Sequence, residues 1–440
     1  VLSFPISLDA LYEIFKRHPY VVTDSRKVGP GSLFFALKGE NFNGNEFAGQ
    51  AIEAGAAFAV IDEEKFKTDD RMLLVEDVFS VMQELARHHR RQFNIPVIAI
   101  TGSNGKTTTK ELVSLVLGSH YQVHFTKGNL NNHIGVPLTL LAMPPTTQVA
   151  VIEMGANHPG EIDFLCRIAE PTHGLITNVG KAHLEGFGGF DGVKKTKSEL
   201  YRFLTECNGL VFINTDEPHL AGLAKDNKLK LFYHRADAPS QSNVPFEVKL
   251  VAEKPFIEVA FLSGEGEMVF TKSNLVGRYN FSNIMTAIVV GKYFKVPAEK
   301  IKSAIENYVP SNNRSQLVAM GSNTFILDAY NANPTSVEHA LTAFGKMDAP
   351  QKIAILGAML ELGAYSQEEH QNIAAFALSL GLDALVLVGA EFKQASQGTD
   401  ALFFENTAQL SDWFYQQNFT NTHFLIKGSR SIGLEKMLEN

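Results

Sequence analysis

The stretch IPVIAITGSNGKTTTKELVSLVL, residues 95–117, constrains this chain more than any other. Residues 95–100 are apolar and β-branched, the pattern of a buried strand, and residues 106–117 have the composition of a helix. Between them Thr101 to Gly105 makes a short glycine-bounded turn. A strand that passes through such a turn into a helix start is an anion cradle. The backbone N–H groups of Gly102, Ser103, Asn104, Gly105 and the residues up to Thr108 converge, and the positive end of the helix dipole adds to them. Lys106 is placed to reach the β and γ phosphates of a nucleotide, and Thr107 or Thr108 to offer a hydroxyl to magnesium. Only two residues separate Gly102 from Gly105, which is shorter than the usual phosphate-loop spacing. The flanking strand and helix therefore carry the reading.

A chain of 440 residues exceeds one ordinary core, and about three domains are expected. The net charge of −8 argues against sequence-independent nucleic-acid binding, so no nucleic-acid partner is expected. An anionic small ligand in a locally basic pocket remains compatible with that charge. Cys166 and Cys207 are the only two cysteines, which excludes a disulfide framework and suits a reducing compartment. The first residues show no basic segment followed by a long apolar run, and no stretch approaches the ~20 apolar residues of a membrane span. A cytoplasmic protein without membrane insertion is expected, and a monomer.

The fold class expected is α/β in three domains. Residues 1–93 read as a small α/β unit: a helix capped at Ser7, the tripeptide Asp24-Ser25-Arg26, a Pro30-Gly31 turn, a strand over 33–37, a polar loop over 38–44 that includes Lys38 and Gly39, a helix over 47–55 and a strand over 59–61. Alone, Asp24-Ser25-Arg26 reads as a surface turn. Residues 94–311 repeat one pattern, an apolar strand that ends in a polar residue near a glycine or a turn, at Glu153, Asn178 and Asn214, with helices over 161–168 and 194–203 between. Such alternation implies a parallel sheet with right-handed crossovers, whose ligands bind outside the carboxyl ends of the strands. Thr101, Glu153, Asn178 and Asn214 are thus expected on one rim. Residues 246–270 alternate apolar and polar and read as an appended antiparallel hairpin or small sheet. Residues 277–293 return to helix, where Asn280 and Asn283 either face one ligand or cap the backbone. Residues 312–440 show a further βα alternation, with strands over 324–327, 352–356, 384–388 and 423–426. No G-x-G-x-x-G fingerprint follows any of them, so a nicotinamide cofactor is not expected.

Taken residue by residue, the rim offers a phosphate loop, one carboxylate in Glu153, His183 and the lysines 194, 195 and 197. Glu153 with a loop threonine suits magnesium beside ATP. His183 by itself reads as structural, and the lysine run as a solvated helix face. A kinase, an ATPase and an ATP-driven ligase all stay open at this level.

Taken together, TGSNGKTTT at Thr101, NLNNHIGVP at Asn129, EMG at Glu153, TNVGKAH at Thr177, GRYNFSN at Gly277 and NNRS at Asn312 resemble the Mur ligase family, in order and over the whole chain. DAYNANPTS at Asp328 and GAMLELGAYSQEEH at Gly357 are similar to the members that add D-alanyl-D-alanine to UDP-N-acetylmuramoyl-tripeptide, as is FFALKGENFNG near the N-terminus. The resemblance implies a small N-terminal UDP-binding domain (1–93), a central phosphate-loop ATPase domain with a parallel sheet (94–311) and a C-terminal Rossmann-like domain (312–440). It implies ATP-driven amide ligation through an acyl phosphate, with ATP and two magnesium sites. Lys106, Thr107 and Thr108 match phosphate and metal positions, and Glu153 and His183 further metal ligands. Lys197 matches the family lysine that takes up carbon dioxide as a carbamate. Asn280, Asn283, Arg314 and Asp328 match nucleotide contacts. Ser25, Arg26 and the loop from Lys38 match the UDP site, and Asn131 and Asn132 the muramoyl-peptide site. Tyr330 and Asn331 are expected beside the dipeptide. Tyr279 departs from the pattern, standing where the family usually has histidine, and His133 receives no role.

Overall fold

The structure, a computed structural model, describes residues 6–236, 246–311 and 313–438. Asn312, which opens the NNRS motif, lies outside them. Contacts divide the chain into two units, Val1–Ala99 with Gln122–Gly155 and Asp163–His173, and Ile100–Tyr121 with Ala156–Ile162 and Gly174–Asn440.

The first unit opens with the helix Leu8–Arg17. The Ser7 hydroxyl caps it by accepting from Ala10 N at 3.3 Å, and its buried face carries Leu11 and Phe15. Strands β1 (Val21–Val22), β2 (Leu33–Phe35), β3 (Lys38–Gly39), β4 (Phe42–Asn43), β5 (Phe58–Ile61) and β6 (Met72–Leu74) follow. β1, β2, β5 and β6 form a parallel sheet in that order, with Phe34, Ala36, Ala59 and Ile61 buried against the helix Ala48–Glu53. Residues 38–44 are not simply a loop: β3 and β4 pair as a two-strand ribbon, Lys38 with Asn43 and Gly39 with Phe42. A side chain at Gly39 would collide with the Phe42 ring, so the glycine lets the ribbon close. This unit also holds the start of β7 (Val97–Thr101), β8 (Val123–Phe125) and β9 (Val149–Glu153), ordered β7-β9-β8.

The second unit takes the end of β7, the glycine loop and the helix Lys106–Gly118. It continues through β10 (His173–Ile176), β11 (Leu210–Asn214), β12 (Leu229–Arg235), β13 (Phe246–Ala252), β14 (Glu258–Leu262) and β15 (Met268–Lys272), laid side by side in that order. β11, β12 and β13 are parallel, and β13, β14 and β15 antiparallel. The antiparallel segment is therefore no separate sheet. β13 pairs with β12 from Tyr233–Phe246 onward and extends the parallel run at its edge. The helix Tyr279–Tyr293 packs on Lys106–Gly118, and a side chain at Gly291 would stand 2.5 Å from Val116 Cγ1. The helix expected over 194–203 is two, Phe190–Lys197 and Glu199–Glu206, parted at Ser198, whose hydroxyl bonds back to Lys195 O at 2.7 Å.

The same unit contains a second sheet, β16 (Gln316–Met320), β17 (Asn323–Leu327), β18 (Gln351–Gly357), β19 (Ala384–Val388), β20 (Leu402–Phe404) and β21 (Thr422–Lys427), in the order β16-β17-β21-β18-β19-β20. Only β16 runs antiparallel. Its core is Phe325, Ile353, Ile355, Val386, Phe424 and Ile426. The four expected strands are present. β16 and β20 are the two edges, where exposed Leu317 and Leu402 blur the buried-strand pattern. Among the described residues no helix is long and apolar enough to cross a membrane.

Candidate active site

The glycine loop is held open by its neighbours in the second unit. Gly102 (φ 142°) and Gly105 (φ 77°) sit where side chains are disfavoured. A Cβ on Gly102 would lie 2.0 Å from Thr177 Oγ1, and one on Gly105 2.6 Å from Asn283 Oδ1. Asn178, at the end of β10, grips the loop twice: its carbonyl accepts from Ser103 N at 3.1 Å and its side-chain oxygen from Asn104 N at 3.0 Å. Ser103 Oγ donates to Gly180 O at 3.1 Å. The Lys106 ammonium rests on the loop itself, donating to Gly102 O at 2.8 Å and Ser103 O at 3.2 Å. Thr107 and Thr108 are buried at the helix start. Of the expected rim, Thr101 and Asn178 meet here, Thr177 N donating to Thr101 O at 2.9 Å. Asn214 instead makes a turn at its own strand end, accepting from Asp216 N at 3.1 Å.

Asn280 and Asn283 are buried and linked. Asn280 Nδ2 donates to Val276 O at 2.8 Å, Asn283 Nδ2 to Asn280 Oδ1 at 2.9 Å, and Thr109 Oγ1 to Asn283 Oδ1 at 3.0 Å. Neither asparagine is a simple N-cap; the chain they form braces the phosphate-loop helix. Beside them opens a cavity of about 670 Å³, lined among others by Asn178, Glu217, Tyr279, Asn283, His339 and Phe344. Tyr279 stacks on His339 with ring centroids 6.5 Å apart, and its hydroxyl meets Ser315 Oγ at 2.7 Å. Burial, with the Asp328 charge, raises the Tyr279 pKa, so it stays a neutral phenol.

Lys197 is almost fully buried, its ammonium position 5.3 Å from the Phe187 ring centroid. Burial first, and then the Lys106 charge, pushes its pKa well below the ordinary 10.5. The solvated helix face is therefore only half right. Lys194 pairs with exposed Asp191 at 3.2 Å, while Lys197 points inward. His183 adopts a left-handed backbone (φ 51°) and its Nδ1 meets Glu361 Oε2 at 2.5 Å. That contact holds the Glu361 carboxyl below its ordinary range. Lys181 meets buried Glu369 at 2.5 Å, on the wall of a second cavity of about 410 Å³ that Thr335 and Glu338 also line.

The loop after β17 brings Asp328 onto Lys427 Nζ at 2.6 Å, and Asp328 Oδ1 accepts from Ser315 N at 3.2 Å. Lys427 also donates to Asn331 O at 3.3 Å. The Arg314 guanidinium lies 3.6 Å from the Tyr330 ring centroid and Arg430 5.1 Å, two cations on one aromatic ring. Asn333 and Asn104 pair through their amides, with Asn333 Nδ2 to Asn104 Oδ1 at 2.7 Å. Sequence reasoning assigned no role to Asn333, Lys427 or Lys181, and reached Glu361 only as part of the loop 360–366 expected near the dipeptide. Asn333 alone carried a signal, as an Asn-Pro helix start.

In the first unit Asn131 Nδ2 donates to buried Glu153 Oε1 at 2.7 Å, and Glu153 N to Thr126 Oγ1 at 3.0 Å. Asn132 Oδ1 accepts from Ile134 N at 3.2 Å and from Gly135 N at 2.9 Å, where the helix Gly135–Leu141 begins. Arg26 forks onto Asp24, both contacts at 2.9 Å, and keeps the Asp24 carboxyl down at about 2. Lys38 bridges Asp62 at 2.9 Å and Glu63 at 3.1 Å. Ser25 opens the short helical turn that Asp24 caps.

A glycine loop between strand and helix, braced by Asn178 and Asn283, which also line a cavity large enough for a nucleoside, defines a phosphate-loop nucleotide-binding protein. The chain belongs to the Mur ligase family. It matches the family descriptions "Mur ligase family, catalytic domain" over residues 20–97, "Mur ligase middle domain" over 100–291 and "Mur ligase, glutamate ligase domain" over 313–430. It is 36% identical to the UDP-N-acetylmuramoyl-tripeptide–D-alanyl-D-alanine ligase of Bacillus subtilis over 81% of this chain and 76% of that protein. To the Escherichia coli protein of the same name it is 33% identical, over 95% and 92%. Among solved structures, MurF from Acinetobacter baumannii superposes with a TM-score of 0.84 at 30% identity, covering 96% of this chain and 92% of that one. MurF ligase from Thermotoga maritima in complex with ADP gives 0.84 at 26% identity, covering 97% of each.

Proposed function

We propose that this chain is an ATP-dependent amide ligase that joins D-alanyl-D-alanine to the peptide carboxylate of UDP-N-acetylmuramoyl-tripeptide, a step of peptidoglycan precursor synthesis. Relatives bearing that name match nearly the whole chain. The observation that carries the reading is the phosphate loop braced by Asn178 and Asn283, the same asparagines that line the 670 Å³ cavity. In the first step a substrate carboxylate oxygen attacks the γ phosphorus and ADP leaves, giving an acyl phosphate. In the second the dipeptide amine attacks the acyl carbon, loses a proton, and inorganic phosphate departs.

The loop N–H groups and the Lys106 ammonium hold the phosphates and offset charge as one anion attacks another. The nucleoside end is assigned to the cavity that Tyr279 and Asn283 line, and Asn280, Asp328 and Arg314 are assigned to the nucleotide as well. Thr107, Thr108 and the Lys197 carbamate supply oxygen donors, the kind magnesium takes, and Glu153 is assigned the same duty. His183 is the poorest fit in that set, because its imidazole is engaged by Glu361. Magnesium, bound at two positions, would supply charge neutralisation along the phosphates. Ser25, Arg26, Lys38 and Gly39 are assigned to the UDP end, and Asn131 and Asn132 to the muramoyl peptide. Tyr330 and Asn331 are assigned to the dipeptide. The 410 Å³ cavity, lined by the Lys181–Glu369 pair and by Glu338, offers both signs of charge to a zwitterion. We place the reaction in the cytoplasm, performed by a monomer.

Phosphate release from ATP tests this directly. With UDP-N-acetylmuramoyl-tripeptide present, D-alanyl-D-alanine should stimulate release and single amino acids should not. Stimulation by a single amino acid alone would assign a sibling activity instead.

A further inference from the structure

Where β18 ends, residues 358–365 form a loop that runs into the helix Ser366–Ser379. Its first backbone groups are held at fixed points. Ala358 O accepts from Ser429 N at 3.2 Å, Leu360 N donates to Ser429 Oγ at 3.0 Å, and Met359 N donates to His370 Nε2 at 3.0 Å. Glu361 then takes a left-handed backbone (φ 63°), with its carboxylate on His183 and its carbonyl accepting from Glu185 N at 3.3 Å. His370 itself is 1% exposed, its ring nearly perpendicular to that of Phe392 with centroids 4.5 Å apart. Both ring nitrogens are used, and together they settle the tautomer. Nδ1 lies 2.6 Å from Ser366 O, a carbonyl that can only accept, so Nδ1 carries the proton. Nε2 faces an N–H and so offers its lone pair. A second proton on the ring would set two N–H groups against each other at Met359.

We propose that His370 is a positioning residue for the incoming amine: its Nε2 lone pair pins the Met359 N–H and so sets the loop against which the dipeptide is held. The proposal rests on the ligase reading, in which residues 360–366 lie beside the dipeptide, and deepens it. His370 touches no reactant. It acts through the backbone of Met359, two residues before Glu361, as Ser429 acts through Leu360. An unpaired N–H at this buried place is costly, so the loop has one preferred course while the lone pair is there. Among the described residues, Glu391 and Glu369 are the charges that act on the ring, and both favour the imidazolium. Glu369 is held by Lys181 at 2.5 Å, and Lys393, which follows Phe392, lies 3.6 Å from Glu405. Burial outweighs the two carboxylates and lowers the His370 pKa. The lone pair is therefore present at neutral pH and is lost only as pH falls below the ordinary imidazole value of 6.5.

Steady-state phosphate release by the wild type, His370→Phe and His370→Gln tests it, together with the imidazole nitrogen resonances of the wild type. Phenylalanine keeps a ring and removes the acceptor. KM for D-alanyl-D-alanine should then rise about tenfold, the value of one hydrogen bond lost, while KM for ATP stays within about twofold. Glutamine restores an acceptor oxygen and should return the dipeptide KM close to that of the wild type. Glutamine does not titrate, so the ratio of wild-type to glutamine-variant KM should be flat above about pH 7 and climb below about pH 6. The resonances should show His370 protonated at Nδ1 alone near neutral pH. A proton at Nε2 overturns the proposal without any variant. An unchanged dipeptide KM in His370→Phe overturns it as well, and so does a glutamine variant as impaired as the phenylalanine one, which would assign the effect to ring shape. Absence of dipeptide-stimulated release in the wild type overturns the ligase reading beneath it, while the resonances still decide whether the pin exists.

Discussion

Asn104 and Asn333, 229 residues apart in the chain, pair amide to amide: Asn333 Nδ2 donates to Asn104 Oδ1 at 2.7 Å, and Asn104 Nδ2 faces Asn333 Oδ1 at 3.4 Å. One stands in the phosphate loop and the other caps the helix Pro334–Gly345. The DAYNANPTS loop is thereby tied to the cradle that would hold ATP. Asn333→Ser keeps a good cap, since serine also accepts from the helix start, but is too short to hold Asn104. We expect stability within about 0.5 kcal/mol of wild type. KM for ATP should rise about three- to tenfold, the value of one or two hydrogen bonds. Denaturant unfolding and steady-state phosphate release measure the two effects separately. An unchanged KM would show that the pair does not act on the loop.

Gly105 is constrained twice, by a left-handed backbone and by Asn283 Oδ1 at 2.6 Å from where a Cβ would stand. Gly105→Ala must strain the backbone and push Asn283 away from Thr109. We expect a loss of about 1–3 kcal/mol and of ADP binding. Gly321 shares the left-handed backbone in open space. Gly321→Ala should therefore cost only about 1 kcal/mol and leave ADP binding intact. Comparable ADP affinity in both variants would deny Gly105 its place against Asn283.

Lys427 is buried, and Asp328 at 2.6 Å is its carboxylate partner. Removing the acid leaves an ammonium with only carbonyls of Asp328 and Asn331 to meet it. Asp328→Ala should destabilise the protein by about 2–3 kcal/mol. Restoring the deficit with the second change Lys427→Met would identify the stranded charge as the cause. A double variant as unstable as the single one would place the damage in Ser315, which Asp328 also holds.

What was legible in the sequence was local. The strand–loop–helix at Gly102–Gly105 is specified by neighbours in the chain, and so are β9, β10 and β11, whose apolar runs end in polar residues. The edge strands β16 and β20 escaped because half-exposed strands alternate weakly. Within each unit the pairs that hold candidate residues join separate segments: Asn131 with Glu153 in the first, Asn104 with Asn333 and His183 with Glu361 in the second. No spacing rule reports such pairs. Lysines 194, 195 and 197 look alike in the sequence, and only the packing of Phe187 and the charge of Lys106 set Lys197 apart.

Lys197 supplies a prediction with two independent readouts. Its folded pKa lies well below 10.5, so between the two values the unfolded chain binds more protons than the folded one. Stability is then complete above the ordinary pKa and is lost progressively as pH falls toward the folded value. Lys197→Met lacks this dependence. In carbon-dioxide-free buffer it should be more stable than wild type near pH 7, with the gap closing toward about pH 10. In the proposed carbamate role the nitrogen of this buried amine would attack carbon dioxide and lose a proton, leaving an anionic carbamate. Ligation should therefore fail in Lys197→Met while ADP still binds, and wild-type activity should fall on carbon dioxide depletion and return with bicarbonate. Parallel stability curves for the two proteins would contradict the lowered pKa of Lys197. Near-normal ligation by the methionine variant would sink the carbamate role, whatever the curves show.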